Sequence, residues 1–276
     1  MNLTKKTLDT FLIDCSYSFI CLNDAPDISS GEINYLKICD ILTGLEDCYD
    51  KNVTNAKKND FIHIKIPQEM HVENRPNQGG PRHIENLNWF NQNIDILFPS
   101  YKSYDYICHI DSDAFLMKPI HLMKELAECD LAGPFIYLNA SQYYIHTGLF
   151  FINVKTVLNM KDIRWDNTMG TDTGSDITKF IVRNPQYNIK KLGHYAGYSV
   201  NYNIPNGDTI IALDMPNDID ICMRLVDSWF DKHFIHFRTG SCFGVGSNHH
   251  RNHDQLHAFN LKYEAFMKII EYSFKA

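Results

Sequence analysis

A short apolar run that ends in two carboxylates, Tyr104–Pro119 (YDYICHIDSDAFLMKP), constrains this chain more than any other stretch. Tyr106, Ile107, Cys108 and Ile110 read as a short buried strand, because Pro99–Ser103 supplies turn-forming residues just ahead of them. The strand then meets Asp111, Ser112 and Asp113. If the backbone is still extended there, the two carboxylates point to one side. Side by side they repel, and burying them without a partner costs free energy. A hard divalent cation such as Mg²⁺ or Mn²⁺ removes both penalties and keeps positions open for water or phosphate. The carboxyl end of a strand in an open α/β sheet is also where ligands bind. An ordinary solvated turn is the competing reading. Placement straight after a strand is what favours a metal–diphosphate site at Asp111 and Asp113.

A chain of 276 residues accommodates one large α/β domain or two lobes sharing a sheet. At this length about three quarters of the unfolded surface is buried, so the core needs no covalent staples. The net charge of −7 disfavours a general nucleic-acid binder, which would show a basic face. Cysteines stand at 15, 21, 39, 48, 108, 129, 222 and 242, with no Cys-x-x-Cys pair, so no zinc ribbon or thioredoxin-like motif is indicated. Several lie in apolar runs and read as reduced thiols of a cytoplasmic protein, or of a host cytoplasm if the chain is viral. No signal peptide and no transmembrane segment is read, and the sequon at Asn139 is expected to be silent.

In chain order, Thr10–Cys15 reads as a first core strand that Phe19–Leu22 continues or partners. A helical pattern follows Ser30, and Phe61–Ile66 alternates as a strand. Gly79, Gly80 and Pro81 read as a bend, and Arg82 as the start of a helix running to Leu97. Such a bend offers backbone N–H groups to an anion, and Arg82 adds a forked donor; a plain loop-to-helix joint is the alternative. Further on come a short helix over Ile120–Cys129, a strand-like run Leu131–Tyr137 broken at Gly133-Pro134, and a strand Leu149–Val154 behind the polar break His146-Thr147-Gly148. Arg164–Asp176 is a carboxylate-rich loop feeding a helix over Ile177–Arg183, where Asp176 suits the cap. Tyr187–Tyr198 and Thr209–Leu213 look extended, Asp220–Phe230 helical, Phe234–Phe237 a strand, and Asp254–Phe274 an amphipathic helix. The histidines at 249, 250, 253 and 257 lack the HExxH arrangement and read as a solvated helix start.

The order of these features resembles GT-A glycosyltransferases over roughly residues 10–240 in layout. Asp111-Ser-Asp113 looks like their DxD motif. Asn77-Gln-Gly-Gly-Pro-Arg82 is similar to a donor loop, Tyr144–Asn153 to the strand facing the donor sugar, and Asp172-Thr-Gly-Ser-Asp176 to the acidic acceptor loop. His236-Phe-Arg-Thr-Gly240 departs from the family's His-x-x-Gly-x-x-Lys-Pro-Trp tail. The resemblance implies an α/β, Rossmann-like GT-A fold: a mixed sheet flanked by helices, in a single domain over 1–276. A donor lobe would span about 8–118, an acceptor lobe about 119–240, and a C-terminal loop and helix 241–276. It implies transfer of a hexose or pentose from a nucleotide diphosphate sugar, most often a uridine one, to a glycan or other hydroxyl acceptor. Mn²⁺ or Mg²⁺ would be held by Asp113 and Asp111, with His236 as a third ligand or else a core histidine. Asp14, Arg82 and Ser112 join the two aspartates as cofactor-binding candidates. Asp176, then Asp172, would serve an inverting enzyme as base; His146 or Asp176 would stand beside the anomeric carbon in a retaining one. Tyr143, Tyr144 and Trp165 are candidate platforms for an acceptor sugar.

Two rival functions share these features. A sugar-phosphate nucleotidyltransferase would carry a Gly-x-Gly-x-Arg loop after the first strand, where this chain has Asp14-Cys-Ser-Tyr-Ser18. A non-catalytic carbohydrate-binding protein on the same fold would bind without turnover.

Overall fold

The structure is a computed structural model that describes residues 2–23, 61–67, 79–111, 113–137, 143–168, 173–195, 219, 227–229, 233–236 and 253–275. The expected helix after Ser30, the strand over 209–213 and His249 and His250 lie outside them. The fold is mixed α/β, with helices packed on three small sheets.

The chain opens with helix α1 (Asn2–Phe11), where a strand over Thr10–Cys15 was expected. Leu8 and Phe11, three apart, bury one helical face, while Lys5 and Asp9 pair at 2.8 Å across the exposed side. Leu12 then makes a single parallel bridge to Ile120. The apolar run at 10–13 therefore spans a helix end and one bridging residue. Strand β1 (Phe19–Asn23) pairs in parallel with β2 (Phe61–Lys65). Helix α2 (Gly79–Leu97) begins at the glycine pair, three residues before Arg82. Pro81 fits this first turn because its missing N–H has no intrahelical partner there. Leu87, Phe90 and Ile94 form the buried stripe of α2.

Strand β3 (Tyr106–Ile110) is antiparallel to β7 (Leu149–Asn153), with Ile110 opposite Leu149. It is half-buried along most of its length, and Cys108 is exposed. Strand β4 (Ala114–Leu116) follows a tight turn. The expected helix over 120–129 shrinks to one turn, α3 (Leu122–Glu125). Strand β5 (Leu131–Tyr137) runs unbroken through Gly133-Pro134. The Pro134 carbonyl still accepts the His146 N–H at 2.9 Å, so proline's missing donor does not end pairing on that side.

Strands β6 (Tyr143–Ile145) and β7 both run antiparallel to β5. Ala132 faces Phe151, yet Phe135 faces Ile145, so two residues of β5, 133 and 134, stand against five, 146–150, and the partner strand carries three extra residues. His146-Thr147-Gly148 is thus a bulge between two strand segments, the device that re-aims side chains at sheet ends. Helix α4 (Ile177–Arg183) leads to β8 (Ile189–Leu192), parallel to β5. A second sheet runs in the order β4, β11 (Phe234–His236), β10 (Asp227–Trp229) and β9 (His194–Tyr195), all antiparallel. The helix expected over 220–230 gives way at 227–229 to a strand paired on both edges, a tertiary override of local pattern. Helix α5 (His253–Lys275) closes the described chain; its Phe266 ring sits 4.9 Å from Phe115 and its Phe274 ring 5.7 Å from Phe11.

Apolar burial gathers into two clusters. One joins α2 and α4 to the β3–β7–β5 sheet around Ile94, Phe150, Ile152 and Trp165. The other joins α1 to β4, β7 and β11 around Leu116, Leu149, Phe151 and Phe234. Leu149 and Phe151 share one face of β7 while Phe150 and Ile152 share the other, so β7 is buried on both sides.

Candidate metal centre

Three side chains from two sheets meet where β3 ends. The Asp111 N–H donates to the Gly148 carbonyl at 2.9 Å, extending the β3–β7 ladder by one residue into the bulge. The Ala114 N–H then donates to the Asp111 carbonyl at 3.0 Å. The aspartates are therefore brought together by a turn, and not by a continuing extended strand. Strand β11 is registered on β4 so that His236 lies opposite Ala114, the residue after Asp113. That register carries His236 Nε2 to 3.3 Å from Asp113 Oδ1 and 3.9 Å from Asp111 Oδ2. One ligand atom from each of Asp111, Asp113 and His236 lies within 4.8 Å of the others. Two ligands about 2.1 Å from a shared cation stand roughly 3.0 Å apart at a right angle and roughly 4.2 Å apart when opposed. The two separations from His236, 3.3 and 3.9 Å, fall in that range. The donor set of two carboxylates and one imidazole suits Mn²⁺ and Mg²⁺, with Zn²⁺ as a competitor drawn by the nitrogen.

The centre is largely buried. His236 is 5% exposed and Asp113 9%, while Asp111 keeps an open edge. His146, at the first position of the bulge, has its ring centroid 5.5 Å from that of His236. Its Nδ1 accepts the Gly148 N–H at 3.0 Å, which puts the proton of the neutral ring on Nε2. In this tautomer His146 presents Nε2 as a hydrogen-bond donor. The part-buried His109 ring packs at 4.3 Å on Trp165. Loss of solvent around it, and secondarily the His83 imidazole, lower its pKa to about 3.

Beside the bulge lie residues 164–168 and 173–176, the described parts of the carboxylate-rich loop. Gly174 has φ +77°, and a Cβ there would stand 1.9 Å from Thr147 Cγ2, so only glycine seats the loop against the bulge. Asp176 is 8% exposed and precedes α4 without capping it. Its carboxylate accepts the Thr168 N–H at 3.2 Å, the Thr168 hydroxyl at 2.6 Å and the Lys179 ammonium at 3.1 Å. Burial on its own would raise its pKa, but these donors outweigh burial and leave it below the ordinary carboxylate value. A carboxylate so held fastens its loop and is a weak proton acceptor.

The other expected site residues are dispersed. Asp14 is exposed and accepts the N–H groups of Met123 and Lys124, at 3.2 and 3.1 Å, at the start of α3. Arg82 lies in the first turn of α2 with its side chain outside the described residues, as are Ser112 and Asp172 altogether. Trp165 at 0% and Tyr144 at 7% exposure belong to the core, while Tyr143 is part-buried and stacks on Phe135 at 5.1 Å.

Three residues escaped the sequence reading. Asn88 and Asn91 are buried on α2; Asn88 takes the Trp165 N–H at 3.0 Å and donates to Asp166, and Asn91 donates to the carbonyls of Met160 and Ile163. Their signal was two asparagines three apart among the apolar positions of that helix. His83, one residue after Arg82, places Nε2 3.9 Å from Asp111 Oδ1. No helix among the described residues is long and apolar enough to cross a membrane. The chain matches no protein-family model, no curated protein and no solved structure.

Proposed function

We propose that the chain is a metal-dependent glycosyltransferase of the GT-A type, moving a hexose or pentose from a nucleotide diphosphate sugar, uridine diphosphate first among them, to a glycan hydroxyl. The observation that carries the reading is the convergence of Asp111, Asp113 and His236 at the end of a sheet strand. Those three would hold Mn²⁺ or Mg²⁺. When bound, such an ion supplies electrostatic stabilisation for charge developing on the departing diphosphate. His146 donates from Nε2 beside the same centre, toward the sugar or its leaving oxygen. The described parts of the 164–176 loop, residues 164–168 and 173–176, are fastened by Asp176, Asn88 and Gly174 beside the bulge. Asp172 is then the carboxylate of this loop assigned to the acceptor hydroxyl, and Asp176 supports the loop.

A thermal-shift panel of uridine, guanosine and thymidine diphosphate sugars, each with and without Mn²⁺, tests this. We expect one nucleotide to raise the melting point only with Mn²⁺, and Asp113→Ala to abolish the rise. Product formation with that nucleotide sugar separates a transferase from a binding protein. A folded wild-type chain that responds to no nucleotide sugar would overturn the proposal.

A further inference from the structure

We infer that His83 is a positioning residue of this centre, holding the far oxygen of Asp111 so that the near oxygen faces the cation; the inference rests on the cation site proposed above. The Asp111 carboxylate is flanked by an imidazole at each oxygen. His236 Nε2 lies 3.9 Å from Oδ2, and His83 Nε2 lies 3.9 Å from Oδ1. The two histidines come from unrelated elements, β11 and the first turns of α2. Only His236 belongs with Asp111 and Asp113 to the cluster whose ligand atoms all lie within 4.8 Å. His83 therefore reaches the centre through Asp111 and is not itself in ligand range of the rest.

A carboxylate bound to a cation through one oxygen can swing about its Cβ–Cγ bond unless the other oxygen is held. Ligating carboxylates are regularly held by a donor on that second oxygen. At 3.9 Å the His83 N–H is just beyond hydrogen-bonding range. A small rotation of either side chain closes it when a cation fixes Oδ2. The side chain of His83 is 38% exposed, against 7% for His236, so it stands on the solvent side of the cluster. Its neighbour Arg82 is the residue the sequence pattern nominated for an anion; His83 is the one whose side chain is seen beside Asp111.

The test is Mn²⁺ affinity of the full chain by electron paramagnetic resonance, for wild type, His83→Ala, His83→Gln and Asp113→Ala. Thermal melts confirm folding of each variant. His83→Ala is expected to weaken Mn²⁺ binding about 10-fold or more. His83→Gln, which keeps an N–H donor at similar reach, is expected to recover most of the loss. Electron spin echo modulation should show the same single nitrogen ligand in wild type and His83→Ala. A second nitrogen that disappears in His83→Ala would overturn the inference, making His83 a ligand. Unchanged affinity in His83→Ala alongside lost binding in Asp113→Ala would also overturn it while leaving the cation site intact. No Mn²⁺ binding by wild type would remove both.

Discussion

Asp176 turns its charge inward, onto Thr168 of its own loop and Lys179 of helix α4. Its pKa is lowered in the fold, so the unfolded chain takes up its proton first as pH falls. The stability it contributes is complete above its unfolded pKa of about 3.9 and fades as pH drops through the lower folded value. Asp176→Asn should cost about 1–3 kcal/mol at neutral pH in urea denaturation. The gap between variant and wild type should close below about pH 4. A gap independent of pH would show that the hydroxyl and backbone contacts, and not the charge, hold the loop. The same residue shows a limit of sequence reading. An aspartate before a helix suits a cap, a base or a loop anchor equally, and only the positions of Thr168 and Lys179 separate these roles.

At the scale of elements, the bulge between β6 and β7 links sheet packing to the site. Opposite it, Gly133 of β5 leaves no room for a side chain: a Cβ would meet Ile145 Cγ2 at 2.7 Å and Phe150 Cδ2 at 2.9 Å. Gly133→Ala should destabilise the fold by about 1–3 kcal/mol, read from a denaturant melt. Because the displaced residues flank 146–148, it should also weaken the Mn²⁺ response more than an equally destabilising change in α1. Strands with clear alternation or long apolar runs, β2, β3 and β7, were legible in the sequence, as were α4, α5 and the body of α2. Two errors share one cause. Residues 10–15 and 227–229 lie in short apolar patterns that fit either period, and their state is decided by partners distant in sequence: Ile120 for Leu12, and β9 and β11 for β10.

Across the whole molecule, the centre joins the β3–β7–β5 sheet to the β4–β11 sheet, so occupancy and global stability are linked. Mn²⁺ at 100 times its dissociation constant should add about 2.7 kcal/mol. In a chain of this size that is a rise of several degrees in melting temperature, reversed by a chelator. Calorimetry with and without chelator checks it; an unchanged melting point in excess Mn²⁺ would mean that the ion binds the folded chain no better than the unfolded one, which would count against the proposed centre. Asp111-Ser-Asp113 was visible as a candidate site from sequence because a paired charge after a strand is a local signal. The partnership of His236 with Asp113 rests on the β4–β11 register, and that of His83 with Asp111 on where α2 docks, which no local pattern records.

The pairing of His236 with Ala114 also sets an order of events during synthesis. Both aspartates leave the ribosome long before His236, and until β11 is made and laid against β4 they supply only two of the three side chains of the proposed centre. If the centre holds a cation as proposed, a nascent chain would not lock it at full affinity into an unfinished fold. Metal capture would then be a late act, one that marks a chain as complete through β11.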